Sequence, residues 1–72
     1  MAAGKYVREI IAHLPRATEF SLDKAYDLMV DMFPRYTITK GRLSREIYLT
    51  HTFDRWKGPQ GVTMFRYRGP ST

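Results

Sequence analysis

The chain contains no cysteine, so no disulfide can staple it and no thiolate can hold zinc. Its two histidines, His13 and His51, share no helical or strand spacing, which leaves a weak basis for a metal site. No apolar run approaches the roughly 20 residues that cross a bilayer. The N-terminal stretch lacks the apolar segment of about 7–15 residues that marks a secretory signal. The absence of cysteine fits a reducing interior. A cytoplasmic protein, nucleoid-associated in a bacterial or phage setting, is therefore expected, with no membrane partner and no cofactor.

Acidic residues are scarce. Seven Asp and Glu stand against twelve Lys and Arg, a formal net charge of +5. The imbalance is local: residues 1–34 hold four cations and five anions, net −1, whereas residues 35–72 hold eight cations and two anions, net +6. A positive field concentrated in one half of a small chain favours a polyanionic partner, nucleic acid first. The alternative is a solvated basic surface that keeps a small protein soluble.

What remains is enough for one small globular domain spanning 1–72. A chain of 72 residues buries only about 60% of its unfolded surface. Stability must come from a single hydrophobic core, with a partner chain or a homodimer as further help. Apolar residues at 43% and aromatics at 14% suffice for that core and argue against disorder.

Val7, Ile10, Ile11 and Leu14 recur at helical spacing in residues 4–14, with Tyr6 extending the stripe and Pro15 closing it. Residues 16–20 read as a connector with a short strand near Thr18–Phe20. Ser21 is a good N-cap for a second helix, and Asp23 lies where the helix dipole welcomes an anion. Leu22, Ala25, Met29, Met32 and Phe33 form its apolar stripe, Asp23, Asp27 and Asp31 its wet side, and Pro34 its end. Ile38 suits a core plug before Thr39 caps a third helix running to about Thr50.

From Phe53 the period changes to two. Phe53–Lys57 is one strand, GPQG at 58–61 a turn, and Val62–Arg68 the returning strand. Thr63, Phe65 and Tyr67 share one face; Val62, Met64, Arg66 and Arg68 share the other. The tail from about Gly69 is expected to fray.

The order of elements is helix, short strand, helix, turn, helix, hairpin. With FSLDKAYDLM (20–29), TITKGRLSREI (37–47) and RWKGPQGVTMFRYR (55–68), the chain resembles the winged-helix family of helix-turn-helix proteins from about Lys5 to Arg68. The resemblance implies an α+β fold of three helices followed by a two-stranded β-hairpin wing. The lack of an accessory domain resembles a phage or mobile-element regulator. The connection through Pro34 and Tyr36 does not by itself fix the angle between the second and third helices.

Projected at about 100° per residue, Leu43, Ile47 and Thr50 face the core. Gly41, Arg42, Arg45, Tyr48 and Leu49 face outward, with Ser44 at their border. The resemblance implies that this outward face enters the major groove, where Arg can engage both acceptors of a guanine edge. Thr39 and Ser44 can donate to phosphates, and Lys40 lies over the backbone. Cations in the first turns of a helix oppose its dipole, and DNA phosphates would neutralise them. An ordinary solvated face, with Arg42 pairing to Glu46 four residues on, would do without DNA.

In the hairpin, Arg55, Lys57, Arg66 and Arg68 suit a wing on the backbone or in the minor groove. Trp56, Phe65 and Tyr67 could instead stack on unpaired bases, although a small domain needs Phe65 and Tyr67 in its core. No catalytic constellation assembles, so a non-enzyme is expected. Two functions compete: a duplex-DNA-binding regulator, and a protein-interaction module such as a phage-type inhibitor docking on an acidic host enzyme. Exposed Tyr48, Leu49, Trp56 and Met64 would anchor the second.

Overall fold

Two threonine- or serine-capped helices and one uncapped helix set the frame of the computed structural model, which describes residues 4–69; the expectation of a frayed tail falls largely on 70–72, outside them. The first helix, α1 (Lys5–Ala12), buries Val7 and Ile10 and closes as the His13 N–H donates to the Ile10 carbonyl at 2.9 Å, two residues before Pro15. The short strand β1 (Phe20–Ser21) follows, and Ser21 doubles as the N-cap of α2 (Leu22–Met32), its Oγ accepting from the Lys24 N–H at 3.2 Å. The third helix, α3 (Lys40–Leu49), starts where Thr39 Oγ1 accepts from the Arg42 N–H at 3.1 Å. Both caps satisfy a backbone donor that the first turn leaves free.

The hairpin pairs β2 (Phe53–Lys57) with β3 (Thr63–Tyr67), and β1 adds to the other edge of β3, giving an antiparallel sheet in the order β1-β3-β2. Between β2 and β3 a 3₁₀ turn at Pro59–Gly61 holds Gln60 and Gly61 at φ of 60° and 74°. Gly58 closes the turn by donating to the Val62 carbonyl at 2.6 Å. β1 is placed at Phe20–Ser21 rather than Thr18–Phe20, because its register is set by β3: Phe20 lies opposite Phe65 and Ser21 opposite Met64.

Opposed residues share a face of a sheet. Phe53 with Tyr67, Arg55 with Phe65, and Lys57 with Thr63 therefore share the helix-facing side. Asp54 with Arg66 and Trp56 with Met64 share the outer side. The core gathers Ile10, Leu14, Phe20, Ala25, Met29, Leu43, Ile47, Phe53 and Phe65 from every element of the frame. Phe20 stacks on Phe65 at 5.6 Å and meets Phe53 edge-on at 5.7 Å, a geometry aromatic quadrupoles favour. Ile38 and Tyr67 pack against this core. The α2–α3 connection is fixed by tertiary contacts: Tyr36 sits 4.8 Å from the Tyr6 ring, which also meets Phe33 at 4.8 Å.

Three helices, a hairpin and a short strand before α2 make a small α+β domain with the architecture of a winged helix. Among the described residues no helix is long and apolar enough to cross a membrane.

Candidate nucleic-acid interface

α3 buries Leu43 and Ile47 and turns Gly41, Arg42, Arg45, Tyr48 and Leu49 to solvent, as the helical projection requires. Among the described residues, Arg42 and Arg45 form no ion pair. The Arg42–Glu46 pair that the spacing allows does not form, and Glu46 Oε2 lies buried without a hydrogen-bond partner. These two guanidiniums keep their full hydrogen-bonding capacity for an external acceptor.

Lys40 is placed differently. Its Nζ donates to Asp23 Oδ1 at 2.9 Å and lies 5.3 Å from the Tyr26 ring. Hydrogen bonding to Asp23, reinforced by that carboxylate's charge, holds the Lys40 ammonium above the usual lysine range. The pair joins the N-terminal turns of α2 and α3. It supplies from within the chain the negative charge that α3, with no acidic residue in its first turn, otherwise lacks. Of the three cations early in α3, one is thus neutralised internally.

Ser44 also departs from its projected place at the border of the exposed face. It is only 6% exposed. Its Oγ accepts from Arg55 Nη1 at 3.1 Å, and the Arg55 guanidinium lies 4.3 Å from the centre of the Tyr48 ring. The hairpin thereby covers Ser44. An open groove of about 590 Å³ runs here between α3, the start of α2 and the hairpin, lined by Leu22, Gly41, Ser44, Arg55, Trp56, Lys57 and Thr63. Nothing lies within 4 Å of where a Gly41 Cβ would stand, so no close neighbour in the fold requires glycine there. Lys57 Nζ donates to Thr63 Oγ1 at 3.4 Å at the hairpin's far end. Thr39 is exposed, and with its oxygen accepting from Arg42 its proton stays available to an external acceptor.

The two cations of the returning strand stand apart. Arg66 is exposed on the outer side of the sheet, opposite Asp54. Arg68 is spent on the fold: it donates to the His51 carbonyl at 2.7 Å and lies 3.6 Å from Asp54. The ten residues singled out in the sequence therefore divide. Thr39, Arg42, Arg45, Tyr48, Arg55 and Lys57 present themselves on α3 and β2; Lys40 and Ser44 are engaged beside them; Arg66 and Arg68 belong to another surface. The sequence reading missed Leu22 and Thr63 as groove walls and Asp23 as the partner of Lys40. Asp23 carried a signal, an acid in a helix first turn, but one that pointed to its own helix.

The small α+β domain, consistent with a winged helix, thus carries an exposed, cationic third helix beside a basic hairpin strand. Comparison with protein-family models, with curated proteins and with solved structures returned no match.

Proposed function

We propose that this protein is a small duplex-DNA-binding regulator of the winged-helix family that acts by binding, without catalysis. α3 lies in the major groove, and β2 follows the sugar-phosphate backbone or the adjoining minor groove. The observation that carries this reading is the pair Arg42 and Arg45, exposed on one face of α3 and without ion-pair partners among the described residues. Arg42 and Arg45 read base edges, Arg55 and Lys57 hold phosphates, and Thr39 donates to the backbone at the start of α3. The protein would work in the cytoplasm, on the nucleoid in a bacterial or phage host.

Selection from random duplexes tests partner class and specificity together. Enrichment of a defined site is expected, and Arg42→Ala and Arg45→Ala should each relax the preference at particular base pairs. Failure to enrich any duplex at low salt would remove the assignment.

Tyr48 and Leu49, 45% and 44% exposed on the same face, favour a second reading as a protein-docking module. It would be supported by a stoichiometric complex with an acidic protein that survives nuclease treatment, in a protein that binds no duplex.

A further inference from the structure

Among the described residues, Arg55 is the one hairpin cation whose position is fixed by α3. Its guanidinium donates through Nη1 to the nearly buried Ser44 and stacks at 4.3 Å over Tyr48, one helical turn further on. Both restraints belong to α3, while the side chain belongs to β2. A guanidinium carries five N–H donors in a rigid plane, so one bond to Ser44 leaves the rest of the fork free. The ring beneath it holds the guanidinium on that side with a cation–π attraction.

We infer that Ser44 and Tyr48 are positioning residues that preset Arg55 as a clamp for one backbone phosphodiester at the groove between α3 and β2. This rests on the duplex-DNA reading above and deepens it. A pre-ordered arginine loses less rotamer freedom on binding, and its fork matches two oxygens of a phosphate. Lys57 stands two residues along the same strand face, roughly 7 Å further on, so the two cations can follow successive backbone charges. Gly41 opposite leaves the groove wall bare. Because the clamp is held by α3, it also ties the hairpin's phosphate contact to the register of the helix on the bases. Arg55 is thus a phosphate ligand, and the base-reading cations are Arg42 and Arg45.

The test is a double-mutant cycle in duplex binding with wild type, Ser44→Ala, Arg55→Ala and the double variant, each confirmed folded by circular dichroism. Ser44→Ala should weaken binding about two- to tenfold, equally for specific and scrambled duplexes. Arg55→Ala should weaken it further and lower the salt slope by about one. Adding Ser44→Ala to Arg55→Ala should then cost nothing more. Tyr48→Leu, which removes the π face from an exposed site, provides a second route: its loss should likewise vanish in the Arg55→Ala background. Wild-type binding that Arg42→Ala weakens, but to which Ser44→Ala and Tyr48→Leu contribute additively with Arg55→Ala, overturns the clamp and leaves the DNA reading standing. Losses confined to one base pair would make Arg55 a base reader and overturn the phosphate assignment. A wild type that binds no duplex removes both.

Discussion

Asp23 and Lys40, seventeen residues apart in sequence, close a 2.9 Å ion pair that ties the first turn of α2 to the first turn of α3. Both side chains are more than half exposed, at 65% and 53%, so water and salt screen the pair and its weight in stability is small. Its weight in binding is another matter, because it withholds one cation from an external anion.

Asp23→Asn should therefore bind duplex DNA more tightly than wild type at low salt. The slope of log affinity against log salt should steepen by about 0.9, the value of one additional phosphate contact. Equal slopes for variant and wild type would show that Lys40 never reaches the backbone. The pH dependence has a definite sign. Lys40 is held above the usual lysine range in the folded chain, chiefly by its hydrogen bond to Asp23 and then by that residue's charge. Its small stabilising contribution is thus complete below the unfolded lysine value and disappears as pH rises through the higher folded value. Urea midpoints followed into the alkaline range should show this loss in wild type and not in Asp23→Asn.

His51 occupies the left-handed region just past α3, at φ 60°. Its backbone N–H donates to the Tyr48 carbonyl at 3.2 Å and its carbonyl accepts from Arg68, while its imidazole makes no hydrogen bond among the described residues. A non-glycine residue there costs about 1–2 kcal/mol, while glycine gives back about 0.4–1 kcal/mol through a freer unfolded chain. His51→Gly should stabilise the fold by about 0.5–1 kcal/mol. A urea midpoint that does not rise would place a role on the imidazole.

Gly41 sets stability against binding. Its backbone is helical, and a Cβ there meets nothing within 4 Å. Gly41→Ala should therefore gain about 0.5–1 kcal/mol in unfolding experiments. The same methyl narrows the groove wall facing Arg55 and Lys57, so duplex affinity should fall. Unchanged affinity would mean that no ligand backbone approaches this wall.

Phe65 is fully buried at the centre of the sheet, opposite Phe20 and Arg55 on its two neighbouring strands. Phe65→Ala should cost about 3–5 kcal/mol, close to the whole stability of a domain this small. The variant should show collapsed chemical-shift dispersion at 25 °C. A native-like spectrum would contradict the assignment of this residue as the core keystone.

Local chemistry made most of the frame legible. Ser21 and Thr39 are caps whose hydroxyls have one obvious use, and Pro15 and Pro34 leave little choice of where a helix stops. Alternation put Phe65 and Tyr67 on one face of the returning strand, the core side, and Arg66 on the other. The misplacements came from partners distant in sequence. β1 slid to Phe20–Ser21 because β3 chose its register. Ser44, expected at the border of the exposed face, is buried because a side chain eleven positions later covers it. Lys40 and Arg42 are both cations in the first turn of α3, yet only Lys40 finds a carboxylate on another helix. Tyr6 continues the apolar stripe of α1 but remains 44% exposed, with Phe33 edge-on and Tyr36 tilted against it at the rim of the core. A projection treats one helix at a time, so it shows which side is inward and not what lies against the border.

The central claim is that Arg42, Arg45, Arg55 and Lys57 act together on a nucleic-acid backbone and its bases. The most direct measurement is the affinity of the wild-type chain for duplex DNA across a series of salt concentrations. The two phosphate ligands, Arg55 and Lys57, predict a slope of about −2 in log affinity against log salt. A flat dependence, or no binding at the lowest salt, would contradict it.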